Sequence, residues 1–168
     1  MGKLLTPYEE RYRSVQKAGG ERFYPKVPSR EFIAFLHDKS LKPGKALVAS
    51  CGEGRNIGPL DDAGWEVVGV DSAPTGLDVA RRDHKGQANV TFLETDLLEQ
   101  LPIETNSIDL VVAIGSLHMI VEESDRHFLF REMHRLLKSR GWLFIESNGR
   151  LNANRSVQLE NGQIEMRT

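Results

Sequence analysis

The sequence predicts an α/β fold, a doubly wound and mostly parallel sheet flanked by helices, with an antiparallel hairpin at one edge. Three observations predict it. Five short apolar runs, Ala46–Ser50, Glu66–Val70, Val90–Glu94, Asp109–Ile114 and Trp142–Glu146, recur along the chain, with helix-like segments between most of them. The runs Val67-Val68-Gly69-Val70 and Leu110-Val111-Val112-Ala113-Ile114 are apolar on consecutive positions, the pattern of strands covered on both faces in a parallel sheet. The first run ends in a glycine turn, "ALVASCGEGRNIGPL", and helix-like sequence follows, as a right-handed strand–helix crossover requires.

The elements follow in order. Residues 1–29 are polar, with Tyr8, Tyr12, Phe23 and Tyr24 interspersed. A helix is expected near Tyr8–Lys17, a break at Gly19-Gly20, and a loop through Pro25 and Pro28. Ser29 reads as the N-cap of a helix over Arg30–His37, where Phe32, Ile33 and Leu36 form an apolar stripe. Further helices are expected over Arg55–Ala63, Thr75–Lys85 and Ser124–Lys138, while the link between the third and fourth strands gives no clear pattern. In the last helix Leu129, Met133, Leu136 and Leu137 fall at i, i+4, i+7 and i+8. Ser124 is placed to cap its start, Lys138 and Arg140 suit its negative end, and Gly141 is placed to close it. His127 and His134 within it read as surface residues. "VQLENGQIEM" reads as a hairpin about Asn161-Gly162. The chain is thus expected to be a single domain: an arm or lid over 1–29, a nucleoside-binding core over 30–146 and an edge hairpin over 147–168.

Composition narrows the function. A net charge of −2 gives no global attraction to nucleic acid or to an anionic membrane, and neither is expected as a partner. The charge is uneven: residues 1–30 carry seven basic and three acidic side chains, a net +4. That segment is either a solvated basic arm or a lid that receives an anionic ligand. One cysteine, Cys51, permits no internal disulfide and fits a reducing, cytoplasmic setting. No apolar run approaches membrane-spanning length. His37, His84, His118, His127 and His134 are scattered without metal-ligand spacing, so no metal is expected.

The chemistry gathers at predicted strand ends. Gly52 and Gly54 can take positive φ and let a ligand approach bare main chain, ahead of a helix whose amides point at it; Pro59 falls in that helix's opening turns. Asp71 ends the second strand, nineteen residues after Gly52, where a carboxylate can accept from both hydroxyls of a ribose. Asp96 follows the third strand and can accept from an exocyclic amine. Each has a plainer reading: a tight turn, a turn-former among "DSAPTG", a helix cap before Leu97. Taken in order at successive strand ends, the three describe a nucleoside site.

With these residues in view, the chain resembles the class I S-adenosylmethionine-dependent methyltransferases, whose fold is Rossmann-like. "LVASCGEGRN", "WEVVGVDSAPTGLDVARR", "VTFLETDLLE", "SIDLVVAIGSLHMI" and "EMHRLLKSRGWLFIE" are similar to the family's successive motifs, from about Tyr8 to Glu146. Arg55-Asn56 and the preceding "ERYRSVQKAGGERFYPKVPS" most resemble the small-molecule subgroup of thiopurine and tellurite-resistance types. The resemblance implies S-adenosylmethionine as methyl donor and a small-molecule acceptor. It implies that Ser50, Cys51, Gly52 and Gly54 hold the methionine part, with Asp71 on the ribose and Ser72 beside it. Asp96 and Leu97 would border the adenine, and Ile114, Gly115 and Ser116 the sulfonium. His118, after the fourth strand, is the candidate base, and Cys51 reads as a core residue and not a nucleophile. Two positions depart from the pattern: Val48 stands where the family has an acid that orients the donor's ammonium, and Ser50 where it has glycine. "SNGRLNANRS" is too polar and short for the helix the family places after the fifth strand. Part of the acceptor pocket is therefore expected to be missing, supplied by a partner, or cut away. Two rival readings stay open: an NAD(P)-binding oxidoreductase, from the GxGxxxG of Gly52, Gly54 and Gly58, and a methyltransferase-like binding module without activity.

Overall fold

The computed structural model describes the backbone of residues 5–147, 155–160 and 163–167, and the side chains of 7–147. In chain order the elements are α1 (Leu5–Lys17), α2 (Arg30–Lys39), β1 (Lys45–Ala49), α3 (Gly58–Asp62), β2 (Glu66–Asp71), α4 (Pro74–Asp83), β3 (Val90–Glu94), β4 (Ile108–Ile114), a 3-10 turn (Leu117–Met119), α5 (Glu123–Leu136) and β5 (Leu137–Glu146). They are followed by β6 (Arg155–Glu160) and β7 (Gln163–Arg167). The sheet order is β3-β2-β1-β4-β5-β6-β7. The five strands from β1 to β5 run parallel; β6 pairs antiparallel with β5, and β7 antiparallel with β6. The expected Asn161-Gly162 turn and most of "SNGRLNANRS" lie outside the described residues.

Consecutive apolar positions are explained by cover on both faces. In β1, Leu47 and Ala49 enter one core with Val68, Val111, Leu129, Met133 and Leu136. Ala46 and Val48 enter the other, with Phe32, Phe35, Leu60, Leu77 and Phe144. Alternate residues of one strand thus point into two separate layers, α5 covering one and α2, α3 and α4 the other. Strand order reverses between β1 and β4, so the loops leaving those two strands diverge and open a crevice at their carboxyl ends.

Several boundaries differ from expectation for local reasons. Ser29 does cap α2, its hydroxyl accepting from Phe32 N at 3.2 Å. The helix after the glycine turn is only Gly58–Asp62; residues 55–57 are spent in turns, with Ile57 N donating to Gly54 O. Pro59 does sit in its opening turn. So short a helix brings little of the end-of-helix field expected beside the turn. Helix α5 begins after Glu122, without a side-chain cap from Ser124. It stops at Leu136 because Leu137, buried, both closes the helix through Met133 O and opens β5 against Ile108. Arg140 (φ 67°) and Gly141 then lie within β5, where the register slips between Ile108 and Leu110. Lys138 reaches Asp109 at 2.8 Å instead of the helix end. His127 and His134 are exposed, as expected.

The arm is docked, not solvated. Ala73, the N-cap of α4, has no acceptor side chain. The buried carboxylate of Glu9 supplies the cap from α1, taking Thr75 N at 3.0 Å and Thr75 Oγ1 at 2.6 Å. The ring of Tyr12 lies close enough to α4 that a Cβ at Gly76 would meet its Cε2 at 2.8 Å. Arg22 pairs with Asp83 at the far end of the same helix.

Candidate functional site

A cavity of about 210 Å³ occupies the crevice. Its floor is the turn Ser50–Gly52 after β1, Asp71, Ser72 and Ala73 after β2, and Ile114, Gly115 and Ser116 after β4. Leu97, from the segment after β3, closes one side. Tyr8, Tyr12 and Tyr24 of the arm form its roof, and Glu53, Arg55, Asn56, His118, Met119, Glu146 and Ser147 complete the walls.

Ser50 adopts φ 52° although it carries a Cβ, so the turn holds a left-handed conformation at its first residue. Gly52 follows at φ 52°, and a Cβ there would meet the Tyr12 hydroxyl at 2.7 Å. Glycine is needed at 52 both for its torsion and because the arm approaches so closely. Gly54 (φ 80°) has a different role and does not line the cavity: a Cβ there would lie 3.1 Å from Ala80 Cβ and from His84 Nε2, against α4. Gly58 has open space around it, so the third glycine of a dinucleotide fingerprint has no packing to serve.

Asp71 ties the turn to the next strand. Its Oδ2 accepts from Gly52 N at 2.8 Å and its Oδ1 from Ala73 N at 2.9 Å. Burial pushes its carboxyl above the ordinary carboxylate range, partly offset by these backbone donors. With Ser72 as a third backbone donor, the carboxylate still keeps spare acceptor capacity at the cavity it lines. Asp96 lies on the same rim, since Thr95 N donates to Asp71 O at 3.1 Å. It does not line the cavity, however: it is buried, and its Oδ1 accepts from Leu98 N at 2.9 Å. That bond closes a turn on its own backbone; no helix begins at Leu97, so the expected helix cap is not found, and it is Leu97 that lines the cavity. Cys51 is buried and its thiol is pushed up by burial and by Asp71, which keeps it protonated. Ser116 is 5% exposed, and its hydroxyl has no hydrogen-bond partner among the described residues. His118, in the 3-10 turn, is exposed at the cavity's edge.

Several lining residues were not singled out by the sequence. Glu53, 6% exposed, holds the arm over the site: its two oxygens accept from Phe23 N at 2.8 Å and Tyr24 N at 2.9 Å. Asn56 accepts from Ser29 N at 2.9 Å, and the Ser29 hydroxyl also bonds the Glu146 carboxylate. The partners of Glu53 and Asn56 stand about thirty residues away in sequence, so no local pattern marks them. The one legible signal was the run of tyrosines in the arm. Val48 is buried in the α2 layer and offers the cavity no carboxylate. Among the described residues no group of three or more His, Cys, Asp or Glu could hold a metal, and no helix is long and apolar enough to cross a membrane.

Comparison with known proteins agrees with this architecture. A family model described as "Methyltransferase domain" matches residues 47–145. The ubiquinone biosynthesis O-methyltransferase of Bartonella tribocorum is 29% identical over 107 residues, 63% of this chain and 42% of that protein. YqeM of Bacillus subtilis (strain 168) is 26% identical over 120 residues. The chain spans about half the length of these curated relatives, 49% and 42%. Among solved structures, a TehB-like SAM-dependent methyltransferase from Corynebacterium glutamicum superposes with a TM-score of 0.60 at 28% identity, covering 87% of this chain and 73% of that one. The PH0226 protein of Pyrococcus horikoshii gives a TM-score of 0.63 at 29% identity, over 76% of this chain and 61% of that one. With a matched domain spanning more than half its length and the strand-end crevice in place, this chain belongs to the class I S-adenosylmethionine-dependent methyltransferase family.

Proposed function

We propose that the chain transfers a methyl group from S-adenosylmethionine to a small-molecule acceptor. One observation carries this reading: the Ser50–Gly52 turn, the Asp71 carboxylate hydrogen-bonded to it, Leu97 and the Ile114–Ser116 loop line a single cavity under the tyrosine arm. The residues fit the donor. The carboxylate of Asp71 keeps spare acceptor capacity for a ribose hydroxyl, with Ser72 beside it. Leu97 and Ile114 offer apolar contact to a base. The Ser116 hydroxyl is buried without a partner, a cost of roughly 1–3 kcal/mol unless a ligand satisfies it. The turn Ser50–Gly52 is assigned the methionine end. Asp96 is assigned a positioning role, fixing the backbone that presents Leu97, and Gly54 one in seating the turn on α4.

When bound, the donor supplies an activated methyl on a cationic sulfur. The chain then has to align the acceptor for in-line attack and keep water out, which the roof of Tyr8, Tyr12 and Tyr24 serves. His118 is placed to remove a proton from an alcohol or amine acceptor, while a thiolate needs no base. Similarity to the TehB-like structure supports the small-molecule subgroup. A second reading, a methyltransferase-like binding module without activity, is favoured by Val48 and by the left-handed Ser50.

The test is methyl transfer from labelled donor across thiols, halides, phenols and amines, with NADP(H) binding measured in parallel. Label transfer to one acceptor class is expected. Donor binding without transfer to any class supports the inactive module, and NADP(H) binding without donor binding overturns both.

A further inference from the structure

The ends of β4 and β5 bring a half-buried carboxylate and an orphaned hydroxyl to the same cavity. Glu146 is the last residue of β5 and lines the cavity. It stands in register with Ile114, and its carbonyl accepts from Gly115 N at 2.8 Å, so its backbone is fixed beside the loop that carries Ser116. One carboxylate oxygen, Oε2, accepts from the Ser29 hydroxyl; the other meets no donor among the described residues. The Ser116 hydroxyl, buried in the same lining, has no partner either. The cavity's other carboxylates are engaged by the backbone: Glu53 by Phe23 N and Tyr24 N, Asp71 by Gly52 N and Ala73 N. Asp71 and Glu146 end β2 and β5, three strand spacings apart, roughly 14 Å across the sheet. A donor whose ribose lies on Asp71 and whose sulfur reaches the loop after β4 leaves Glu146 to the molecule that receives the methyl group.

We propose that Glu146, beside Ser116, selects the acceptor: it receives a neutral nucleophile that carries its own hydrogen-bond donor, an amine or a phenol, and disfavours anionic thiolates and halides. This inference rests on the methyl-transfer reading of the site and narrows its acceptor class. The movement of charge decides the class. A lone pair on neutral nitrogen or oxygen forms the bond to the methyl carbon while the carbon–sulfur bond breaks and its electron pair returns to sulfur. The positive charge passes from sulfur to the acceptor atom, which then gives up its proton to His118 or to solvent. A carboxylate that accepts the acceptor's N–H or O–H aims the lone pair at the methyl and stabilises this charge as it develops. An anionic acceptor instead cancels the sulfonium charge, and a fixed carboxylate beside it raises its energy before the methyl moves. The Ser116 hydroxyl, which both donates and accepts, gains a partner once the cavity is filled.

The experiment measures kcat/KM with labelled donor for three acceptors that share one ring, aniline, phenol and thiophenol, and for iodide. At neutral pH aniline and phenol are uncharged, while thiophenol is largely ionised. The wild-type chain is compared with Glu146→Gln, which keeps an acceptor for the Ser29 hydroxyl and removes the charge. S-adenosylhomocysteine affinity is measured for both chains and reports that the fold and the donor site are intact. The expected result is a wild-type preference for aniline or phenol, and a ratio of neutral to anionic turnover that falls about tenfold or more in the variant at unchanged S-adenosylhomocysteine affinity. A wild-type preference for thiophenol or iodide overturns the proposal. So does an unchanged ratio in the variant, and so does an equal loss toward every acceptor, which marks a structural role through Ser29. Transfer to none of these acceptors by a wild-type chain that binds S-adenosylhomocysteine also overturns it. A wild-type chain that does not bind S-adenosylhomocysteine sinks the underlying donor reading itself, a distinct result.

Discussion

Asp71 and Ser50 show how much single residues decide here. Asp71 joins two strand ends and keeps acceptor capacity toward the cavity, so its loss is felt twice. Asp71→Ala is expected to weaken S-adenosylhomocysteine binding by about 1.5–3 kcal/mol, the range for hydrogen bonds to a charged group. Burial raises its folded pKa, so the folded chain holds that proton more tightly than the unfolded one. Its contribution to stability is therefore present at low pH and lost as pH rises through the raised value. Ligand binding runs the other way. Protonation removes an acceptor, so affinity should fall as pH drops into the window just above the ordinary carboxylate range, and a titration of Kd against pH checks this. Ser50 sits at φ 52°, which costs a residue with a Cβ roughly 1–2 kcal/mol. Glycine returns about 0.5–1 kcal/mol of that through unfolded-state entropy. Ser50→Gly should thus raise the unfolding free energy in urea by a net of about 0.5–1 kcal/mol, and unchanged or lower stability would show that the serine side chain offsets its strain. The positions of Asp71, Gly52 and the Ser29 cap were legible in the sequence because each is fixed by neighbours along one strand–turn–helix unit. The role of Asp96 was not legible, because one side chain can either accept from a ligand or bond its own backbone, and the sequence is the same for both.

At the scale of elements, two carboxylates fasten pieces that the sequence leaves separate. Glu53, in the glycine turn, anchors the arm; Glu53→Ala leaves Phe23 N and Tyr24 N without their acceptor. The arm should then be cleaved faster in limited proteolysis, and S-adenosylhomocysteine affinity should fall, because the tyrosine roof is no longer held. Unchanged cleavage would mean that Glu9 and the Tyr12–Gly76 contact suffice. Glu132 does similar work on the other face. Buried on α5, it accepts from Leu101 N at 2.8 Å and pairs with Arg135, whose guanidinium also donates to Ile103 O and Leu101 O. The pair fixes the stretch after β3 for which the sequence showed no element. Glu132→Ala should cost about 1–3 kcal/mol, since it leaves Leu101 N without its acceptor and the part-exposed Arg135 without its ion pair, and chemical denaturation measures it. These fastenings were not legible: their partners lie 29 to 66 residues apart in sequence. The α5–β5 junction was misplaced because an apolar Leu137 satisfies a helix stripe and a strand equally well.

Across the whole molecule, the fold was the most legible level because strands buried on both faces write themselves as unbroken apolar runs. Stability should follow the same carboxylates. Arg135 first, and Leu101 N, hold Glu132 below its ordinary range. For Glu9 and Asp83 burial acts upward, but Thr75 and Arg13, and Arg22 with Lys26, outweigh it and the net shift is down. Groups lowered on folding stabilise above their unfolded values and lose that contribution as pH falls through the folded ones. Acidification below the carboxylate range should therefore loosen α1 from α4 and destabilise the core together. The central claim remains that one crevice, at the ends of β1, β2 and β4 and under the arm, grips a nucleoside donor. Calorimetric titration of the wild-type chain and Asp71→Ala with S-adenosylhomocysteine tests it most directly. Saturable wild-type binding weakened about ten- to a hundredfold in the variant is the predicted result; no wild-type binding, or equal affinity in both, would contradict it.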